Sequence, residues 1–439
     1  MPDTEGPDKK VPNQREFMRE KIVKRPLTRR QIALRVAVFL FSAAAFGAVA
    51  SCSFIITRPW AEKKWGAGEE RESSSIQFDK DDPDVQQEAP DASQPQENGS
   101  EAVPVEAAVD SYMETYEFSA DDLKAMYENV RKVGQQADKG IVTVHSGKQQ
   151  MDLFGNPIEM SGYCAGAVIA RTSGEYVILT RSVAVENADS INVVFFDGTE
   201  TAGTVLQTDE VMGMAVIRVD AGLLDEETRK EIHVIPLGNS YSMKTGDLVI
   251  GVGAPAGMVH SAAFGNITYM SRSVPVTDGV SRILFTDMEC SDEMGTFLLN
   301  LDGELIGWSD NTLKGDSPIE ADAVMSISDY KGILERLTNG QEVPYFGVKG
   351  QEVKEPMQDQ EMPLGVYILE AVSGGPAYEA GLQNGDIITS FGDHPVSTLK
   401  ELSSQILSAG TGNTAKVTVM RRGRDGYTPL EYEVSLRAR

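Results

Sequence analysis

Short β-forming runs, separated by glycines and turn residues, fill the middle of this sequence and constrain its fold more than any other feature. They are rich in β-branched and aromatic side chains, and no long helical pattern separates them. The runs are Ile141–Val144, Ala165–Ala170, Tyr176–Leu179, Ile191–Phe196, Ala215–Val219, Leu248–Val252, Ile283–Thr286, Phe297–Leu301 and Glu304–Trp308. Asp197-Gly198 and Asp302-Gly303 are hairpin dipeptides. The pattern predicts a mainly β domain, a barrel or sandwich of about 190 residues.

A single amphipathic helix precedes these runs, over residues 119–139. Ser119-Ala-Asp-Asp122 has the pattern of a capping box, which marks a helix start. The apolar side chains that follow recur at helical spacing and share one face: Leu123, Met126, Tyr127, Val130 and Val133.

An acidic segment lies before the helix and is predicted to be a disordered linker over residues 58–118. Its central part, Gly66–Asp110, holds 13 acidic and two basic residues among Ser, Gln and Pro. Such a composition buries too little apolar surface to offset the entropy of ordering, so the segment should act as a self-repelling tether.

Residues 36–57 contain no charged side chain over 22 positions, which predicts a transmembrane helix. Residues 1–35 carry ten basic and five acidic side chains, and this excess predicts a cytoplasmic tail with the later domains outside the cytoplasm of a bacterial cell. Val49-Ala50-Ser51-Cys52 also resembles a lipobox, in which Cys52 would be lipidated. The apolar run continues past Cys52, which favours an uncleaved signal anchor.

Charge and metal-ligating residues exclude several functions. With 40 Lys and Arg against 66 Asp and Glu, the net charge of −26 would repel a phosphate backbone, so we expect no nucleic-acid partner. Three cysteines and four scattered histidines lack the short spacings of metal sites, so we expect no metal and no cofactor.

The middle of the chain resembles the HtrA (DegP-like) serine proteases. The matching motifs occur in the family's order: Gly162–Ala170, Tyr176-Val-Ile-Leu-Thr180, Val185-Glu-Asn-Ala188, Ala215-Val-Ile-Arg-Val219, Pro236-Leu-Gly-Asn-Ser240, Gly246-Asp-Leu-Val249, Thr286-Asp287 and Asn300-Leu-Asp-Gly-Glu-Leu-Ile-Gly307. The resemblance covers roughly residues 140–437. It implies a chymotrypsin-like double β-barrel over residues 140–338, followed by a PDZ domain over residues 344–437.

The same resemblance implies that the catalytic triad is missing. Val183 stands at the family's histidine position, and Gly213 stands at its aspartate position. The serine position falls on Met294 when the loop is aligned from Asn300, and on Gly295 when it is aligned from Thr286. None of these side chains can perform acyl transfer, so no catalytic residue is predicted.

A replacement site would have to use Cys290 or Ser291, which lie just before the vacant serine position. A thiolate nucleophile needs an activating base, and His260 is the only histidine that we expect to approach. An inert, half-buried thiol is the simpler interpretation. A disulfide between Cys164 and Cys290 is permitted outside the cytoplasm, although the geometry of such a bond is restrictive.

The PDZ part carries the most specific motif, Ala380-Gly-Leu-Gln-Asn-Gly-Asp-Ile-Ile388. Tyr345, Phe346, Gly347 and Val348 resemble the carboxylate-binding loop of HtrA-type PDZ domains. Successive amides of such a loop can form a nest for a terminal carboxylate.

A helix at about residues 398–408 should flank the groove, so that a peptide would add as a strand beside it. Leu399, Leu402 and Ile406 follow one another at helical spacing on this helix. The sequence does not separate core-facing from groove-facing positions, and we include Leu402 and Ile406 among the predicted peptide-binding residues.

These observations predict a membrane-anchored pseudoprotease outside the cytoplasm, which binds peptides or protein C-termini in envelope quality control or scaffolding. The alternative is an active serine or cysteine peptidase that uses unrecognised residues. The resemblance also implies a homo-oligomer, a trimer in many family members, or a subunit that docks onto active HtrA paralogues. No residue in the sequence identifies either assembly.

Overall fold

The computed structural model describes residues 75–82, 119–151, 157–314, 319–354 and 362–439. The predicted cytoplasmic tail of residues 1–35 and the predicted transmembrane helix of residues 36–57 lie outside these ranges. Within these ranges, no helix is both long enough and apolar enough to cross a membrane. The described residues all belong to one compact unit.

Strands dominate the described residues. The helices are α1 (Ala120–Asp138), α2 (Glu226–Glu231), α3 (Lys331–Thr338), α4 (Pro376–Ala380) and α5 (Leu399–Ala409). The first domain has the strands β1 (Ile141–Met151), β2 (Pro157–Arg171), β3 (Glu175–Arg181), β4 (Ser190–Val194), β5 (Glu200–Ala202), β6 (Thr204–Asp209), β7 (Met214–Asp220), β8 (Leu248–Gly253), β9 (Ala263–Val276), β10 (Gly279–Thr286), β11 (Thr296–Leu299), β12 (Leu305–Ser309) and β13 (Asp322–Ser326). The second has β14 (Pro344–Tyr345), β15 (Val348–Glu352), β16 (Val366–Ala371), β17 (Ile387–Phe391), β18 (His394–Pro395), β19 (Thr414–Gly423), β20 (Gly426–Ser435) and β21 (Arg437–Ala438).

The first domain consists of two antiparallel lobes. The first lobe is a seven-stranded sheet in the order β5-β4-β1-β2-β3-β7-β6, and the second is a closed barrel in the order β10-β13-β12-β11-β8-β9. Every predicted β run lies wholly or mostly within a strand, so the mainly β prediction is confirmed. Strands β5, β6, β9 and β13 were not predicted. The largest apolar core joins the lobes: it contains Ile141 and Leu179 of the first and Val252 and Phe297 of the second.

Helix α1 begins with the predicted capping box. The Ser119 hydroxyl accepts from the Asp122 amide, and the Asp122 carboxylate accepts from the Ser119 amide at 2.8 Å. Only the second half of the predicted apolar face packs against the domain. Val130 is buried, whereas Leu123 and Tyr127 are more than half exposed.

Residues 75–82, the docked segment, differ from the disorder predicted for the whole of residues 58–118. The Ile76 amide donates to the Asn339 side chain at 2.9 Å, and the Asn339 amide group donates to the Ile76 carbonyl at 2.7 Å. Asp81 accepts from Lys331 Nζ at 2.8 Å, with side chains only 10% and 5% exposed. Ile76 and Phe78 pack against the main core, so this short piece has apolar anchors despite the acidic composition around it.

The second domain is a separate β-rich unit with its own core, which includes Val366, Ile388 and Val417. Its main sheet has the order β15-β16-β17-β19-β20, with β18 paired to β17. Strand β15 is therefore an edge strand. An ion pair between Asp386 and Arg421 at 2.7 Å links β17 to β19, and the Asp386 side chain is 1% exposed.

Candidate functional site

The three positions that the resemblance assigns to a triad lie on loops that the structure ties together. Val183 is in the turn after β3, Gly213 directly precedes β7, and Met294 lies in the loop before β11. The Ser182 amide donates to the Gly213 carbonyl at 3.0 Å, and the Ala165 amide donates to the Met294 carbonyl at 2.7 Å. The first bond fixes the turn after β3 to Gly213, and the second fixes β2 to the loop before β11.

No side chain at these positions can transfer a proton. The Val183 side chain points into solvent and is 58% exposed. Gly213 has φ +66°, and Gly295, the serine position in the second alignment, has φ +82°. Met294 packs against the main core. Acyl transfer needs a hydroxyl or thiol, a base and a group that orients the base, and none of the four residues supplies one.

Arg181, the last residue of β3, fills the space between these positions. A Cβ placed on Gly213 would lie 3.7 Å from Arg181 Nη1, and one placed on Gly295 would lie 3.6 Å from Arg181 Cγ. Arg181 Nη1 donates to the Ser309 carbonyl at 3.3 Å. A guanidinium stays protonated and offers only donors, so it cannot replace a catalytic imidazole.

Three backbone amides of the loop before β11 donate to acceptors within the domain. The Gly295 amide donates to the Asp292 carbonyl at 3.4 Å, and the Met294 amide donates to the Ser291 hydroxyl at 3.4 Å. The Cys290 amide donates to an Asp322 carboxylate oxygen at 2.6 Å. An oxyanion hole needs amides that point freely at the reacting carbonyl, and these three amides are already engaged.

The two described cysteines are separate, buried thiols and form no disulfide. The Cys164 thiol donates to the Glu293 carbonyl at 3.3 Å, and burial raises its pKa. Burial, together with the Asp322 and Asp292 carboxylates, raises the pKa of Cys290 to about 12. Both thiols therefore stay protonated near neutral pH, and a thiolate nucleophile is not available in this arrangement.

His260, the histidine that we expected to approach Cys290, pairs with a different residue. Its Nδ1 lies 3.0 Å from the Asp138 carboxylate at the end of α1. In the described part of the chain, no group of three or more His, Cys, Asp or Glu side chains is arranged to hold a metal ion.

The loop before β15 has the amide arrangement of an anion nest. Gly347 has φ +85°, which turns the backbone so that three successive amides converge. The Phe346, Gly347 and Val348 amides all donate to the carboxylate of Asp278, at 2.9, 2.8 and 3.0 Å. The acceptor is a side chain of the first domain, from the turn between β9 and β10.

Asp278 is buried with a cation beside it. Its side chain is 1% exposed, and Arg439 Nη2 lies 3.9 Å from its Oδ2. Arg439 Nη1 also lies 3.3 Å from the buried carboxylate of Asp209. Burial raises the pKa of Asp278, while Arg439 and the three amides oppose that effect. The carboxylate therefore has three donors and one cation around it, as a bound terminal carboxylate would have.

Most of the predicted peptide-binding side chains are buried in the second domain. Phe346, Val348, Leu402 and Ile406 are at most 1% exposed, and Phe346 packs edge-on against Phe391 with ring centroids 5.5 Å apart. The sequence left open which residues of α5 face the core. The structure buries Leu399 at 3% exposure as well, so none of the three side chains is open to solvent.

Asp278 and Arg181 were missed by the sequence analysis. Asp278-Gly279 is the same dipeptide that marks the two predicted hairpins, and this signal was available. It was overlooked because the long strand β9 before it has a weak alternation of buried and exposed residues. For Arg181, the only signal was a charge at the end of an apolar strand.

Two family models match the chain. A model described as a trypsin-like peptidase domain matches residues 164–307, and a model described as a PDZ domain matches residues 344–432. The fold, the nest and these matches together define a class of protein, a trypsin-like domain followed by a PDZ domain.

Curated relatives narrow that class. The chain is 29% identical to the serine protease Do-like HtrA of Bacillus subtilis over 285 residues, covering 60% of this chain and 62% of the relative. It is 26% identical to the periplasmic pH-dependent serine endoprotease DegQ of Escherichia coli over 293 residues, which cover 65% of this chain and 62% of the relative. The chain is similar to HtrA-like serine proteases, and the matches span about three fifths of the length of these relatives.

A solved structure described as the HtrA-type protease AlgW with decapeptide has the same fold. It superposes with a TM-score of 0.51 at 18% sequence identity, and the match covers 71% of this chain and 98% of that one. At this level of identity the likeness concerns the fold.

Proposed function

We propose that this chain is a membrane-anchored HtrA-like protein outside the cytoplasm, which has no peptidase activity and binds peptides or protein C-termini through its PDZ domain. The relatives are described as serine proteases, one of them periplasmic. The observation that carries the proposal is the arrangement around Arg181, at the positions that the resemblance assigns to the triad: Val183, Gly213 and Met294 supply no nucleophile and no base.

Without a triad, peptidase activity is expected to be almost entirely lost. In subtilisin, loss of the whole triad lowers kcat by about a millionfold. The Cys290, Met294 and Gly295 amides donate within the domain, so they are not free to stabilise an oxyanion. Cys290 offers no substitute, since burial keeps its thiol protonated.

Peptidase activity is tested with the purified full-length chain in detergent. We expect no cleavage of unfolded casein and no labelling by a fluorophosphonate. Val183→His should change neither result, because triad members act as a unit. Cleavage that persists in a Cys290→Ala, Ser291→Ala double variant would refute the pseudoprotease proposal. Cleavage abolished by Cys290→Ala alone would indicate a cysteine peptidase.

Peptide capture is supported by the convergence of three amides on one carboxylate at 2.8 to 3.0 Å. We expect C-terminal peptides with an apolar last residue to bind with a Kd in the micromolar range, about −8 kcal/mol, because short peptides bury little area. Fluorescence anisotropy with free-acid and amidated peptides is the assay. Equal binding of the two forms would refute the assignment of the carboxylate loop.

Membrane anchoring is supported by the 22 uncharged positions of residues 36–57 and by the basic excess before them. Protease added to intact cells should remove the later domains and leave residues 1–35 protected. A mature protein that begins at a lipidated Cys52 would instead support the lipobox alternative. Size-exclusion chromatography with light scattering would distinguish a trimer from a monomer, and a pull-down from membranes would detect HtrA paralogues.

A further inference from the structure

The turn between β9 and β10 contacts the second domain as a short strand. Thr277 forms an antiparallel bridge with Lys349 of the edge strand β15. The Asp278 amide donates to the Val348 carbonyl at 2.7 Å. Addition of a strand to an exposed sheet edge is one of the recurring modes by which domains bind extended peptides.

The residues after Asp278 lie against α5 and the core of the second domain. A Cβ placed on Gly279 would be 3.5 Å from the Ser403 hydroxyl of α5. Val280 packs against the apolar core of the second domain, the cluster that contains Leu402 and Ile406. The start of β10 therefore supplies an apolar side chain to this core, two residues after the carboxylate of Asp278.

Three kinds of contact thus coincide at this turn: a carboxylate held by three amides, strand pairing at β15, and an apolar side chain on the domain core. A C-terminal peptide in the same loop would need all three. The Asp278 carboxylate differs from that of a peptide C-terminus only in origin, because it belongs to a side chain inside a hairpin. The φ of +62° at Asp278 lets the chain reverse there and return along β10.

We infer that the β9–β10 turn is the resident ligand of the PDZ domain, with the Asp278 side chain in the place of a terminal carboxylate. An incoming C-terminus has to displace this turn, so ligand binding breaks this contact between the PDZ domain and the second lobe. This inference rests on the proposed function, because it concerns the same loop.

The apparent Kd of an external peptide reports how strongly the β9–β10 turn competes with that peptide for the loop before β15. If the turn occupies the loop in 90 to 99% of molecules, its removal should lower the apparent Kd by about ten- to a hundredfold. The probe is a fluorescein-labelled decapeptide library that ends in valine with a free carboxylate, titrated against full-length chain in detergent. Asp278→Ala should bind more tightly than wild type, and Asp278→Asn, which keeps the shape of the side chain, should fall between them.

Asp302→Ala is the matched control, because Asp302 occupies the other Asp-Gly turn of the same lobe and has no contact with the nest. We expect its Kd to equal that of wild type. An increase in affinity of the same size in Asp302→Ala would overturn the inference, since loosening of the barrel alone would then explain the effect. Equal affinity of wild type and Asp278→Ala would also overturn it, while leaving the proposed function intact.

Hydrogen exchange without peptide separates the two proposals. The Phe346, Gly347 and Val348 amides should be protected in wild type and exchange at least about tenfold faster in Asp278→Ala. If no peptide binds either protein but this change occurs, the peptide-binding function fails and the intramolecular contact stands. Unchanged protection in Asp278→Ala would overturn the inference, whatever the peptide titration shows.

Discussion

The Cys290 thiol should resist alkylation in the folded chain. Burial and two neighbouring carboxylates raise its pKa to about 12, and the residue is 9% exposed. At about pH 8, such a thiol is ionised in roughly one molecule in 10⁴, against about one in four for an ordinary cysteine with a pKa near 8.5. Because the thiolate is the reactive species, alkylation should be about three orders of magnitude slower than for a free cysteine.

Iodoacetamide labelling of a Cys52→Ser variant, with mass spectrometry of the peptide that contains Cys290, measures this rate. The same protein in concentrated urea is the control and should react at the rate of an ordinary thiol. A native rate within roughly tenfold of the unfolded rate would refute the reasoning and reopen the cysteine-peptidase alternative.

The same pKa shift predicts a pH dependence of stability. The folded pKa of Cys290 lies above its unfolded value, so the unfolded chain loses this proton first as the pH rises. The contribution to stability is fully present below about pH 8.5 and is lost between there and about pH 12, by at most about 1.4 kcal/mol per pH unit. Urea denaturation should show a steeper alkaline loss for wild type than for Cys290→Ala.

Three further predictions concern stability. Asp386→Asn should lower the free energy of unfolding of the PDZ domain by about 2–4 kcal/mol, because it leaves Arg421 without its buried partner; a loss below about 1 kcal/mol in urea denaturation would contradict this. Phe346→Ala should cost about 3–5 kcal/mol in the same measurement, since the ring is fully buried, and a wild-type midpoint would show that the ring lines an open groove. Lys331→Met should speed hydrogen exchange at the Ile76 amide at least about tenfold, because it removes the ion pair with Asp81. The overall unfolding midpoint should move little, since the docked segment can leave without the domain unfolding. Unchanged exchange would show that the ion pair does not hold the segment.

The features that the sequence predicted well depend on neighbours along the chain. The capping box at Ser119 is set within one helical turn. The β runs and the turns at Gly198 and Gly303, both with positive φ, follow from local side-chain types and backbone freedom. The PDZ motif around Asp386 is likewise contiguous, so its position in the fold could be read directly.

The features that the sequence missed depend on residues far apart in the chain. Asp278 meets the loop at Phe346 across 68 positions, and only the packing of two domains brings them together. Arg181 matters because Gly213 and Gly295 leave room for its side chain. The docked segment is held by Asn339, 263 positions away. The composition of that segment is acidic and polar, and composition alone does not show that two apolar side chains, Ile76 and Phe78, pack against a surface formed by distant residues.

The docked segment divides the predicted linker into two stretches that respond differently to proteolysis. On the proposed membrane topology, a cut within residues 58–74 severs the last covalent link and sheds the domains at once. A cut within residues 83–118 leaves residues 75–82 on the membrane side of the break, still bound to Lys331 and Asn339. Shedding then waits for a short peptide to dissociate, which takes about one second for a micromolar complex that associates at about 10⁶ M⁻¹s⁻¹. The position of the first cut therefore decides whether the protease or this dissociation sets the rate of release.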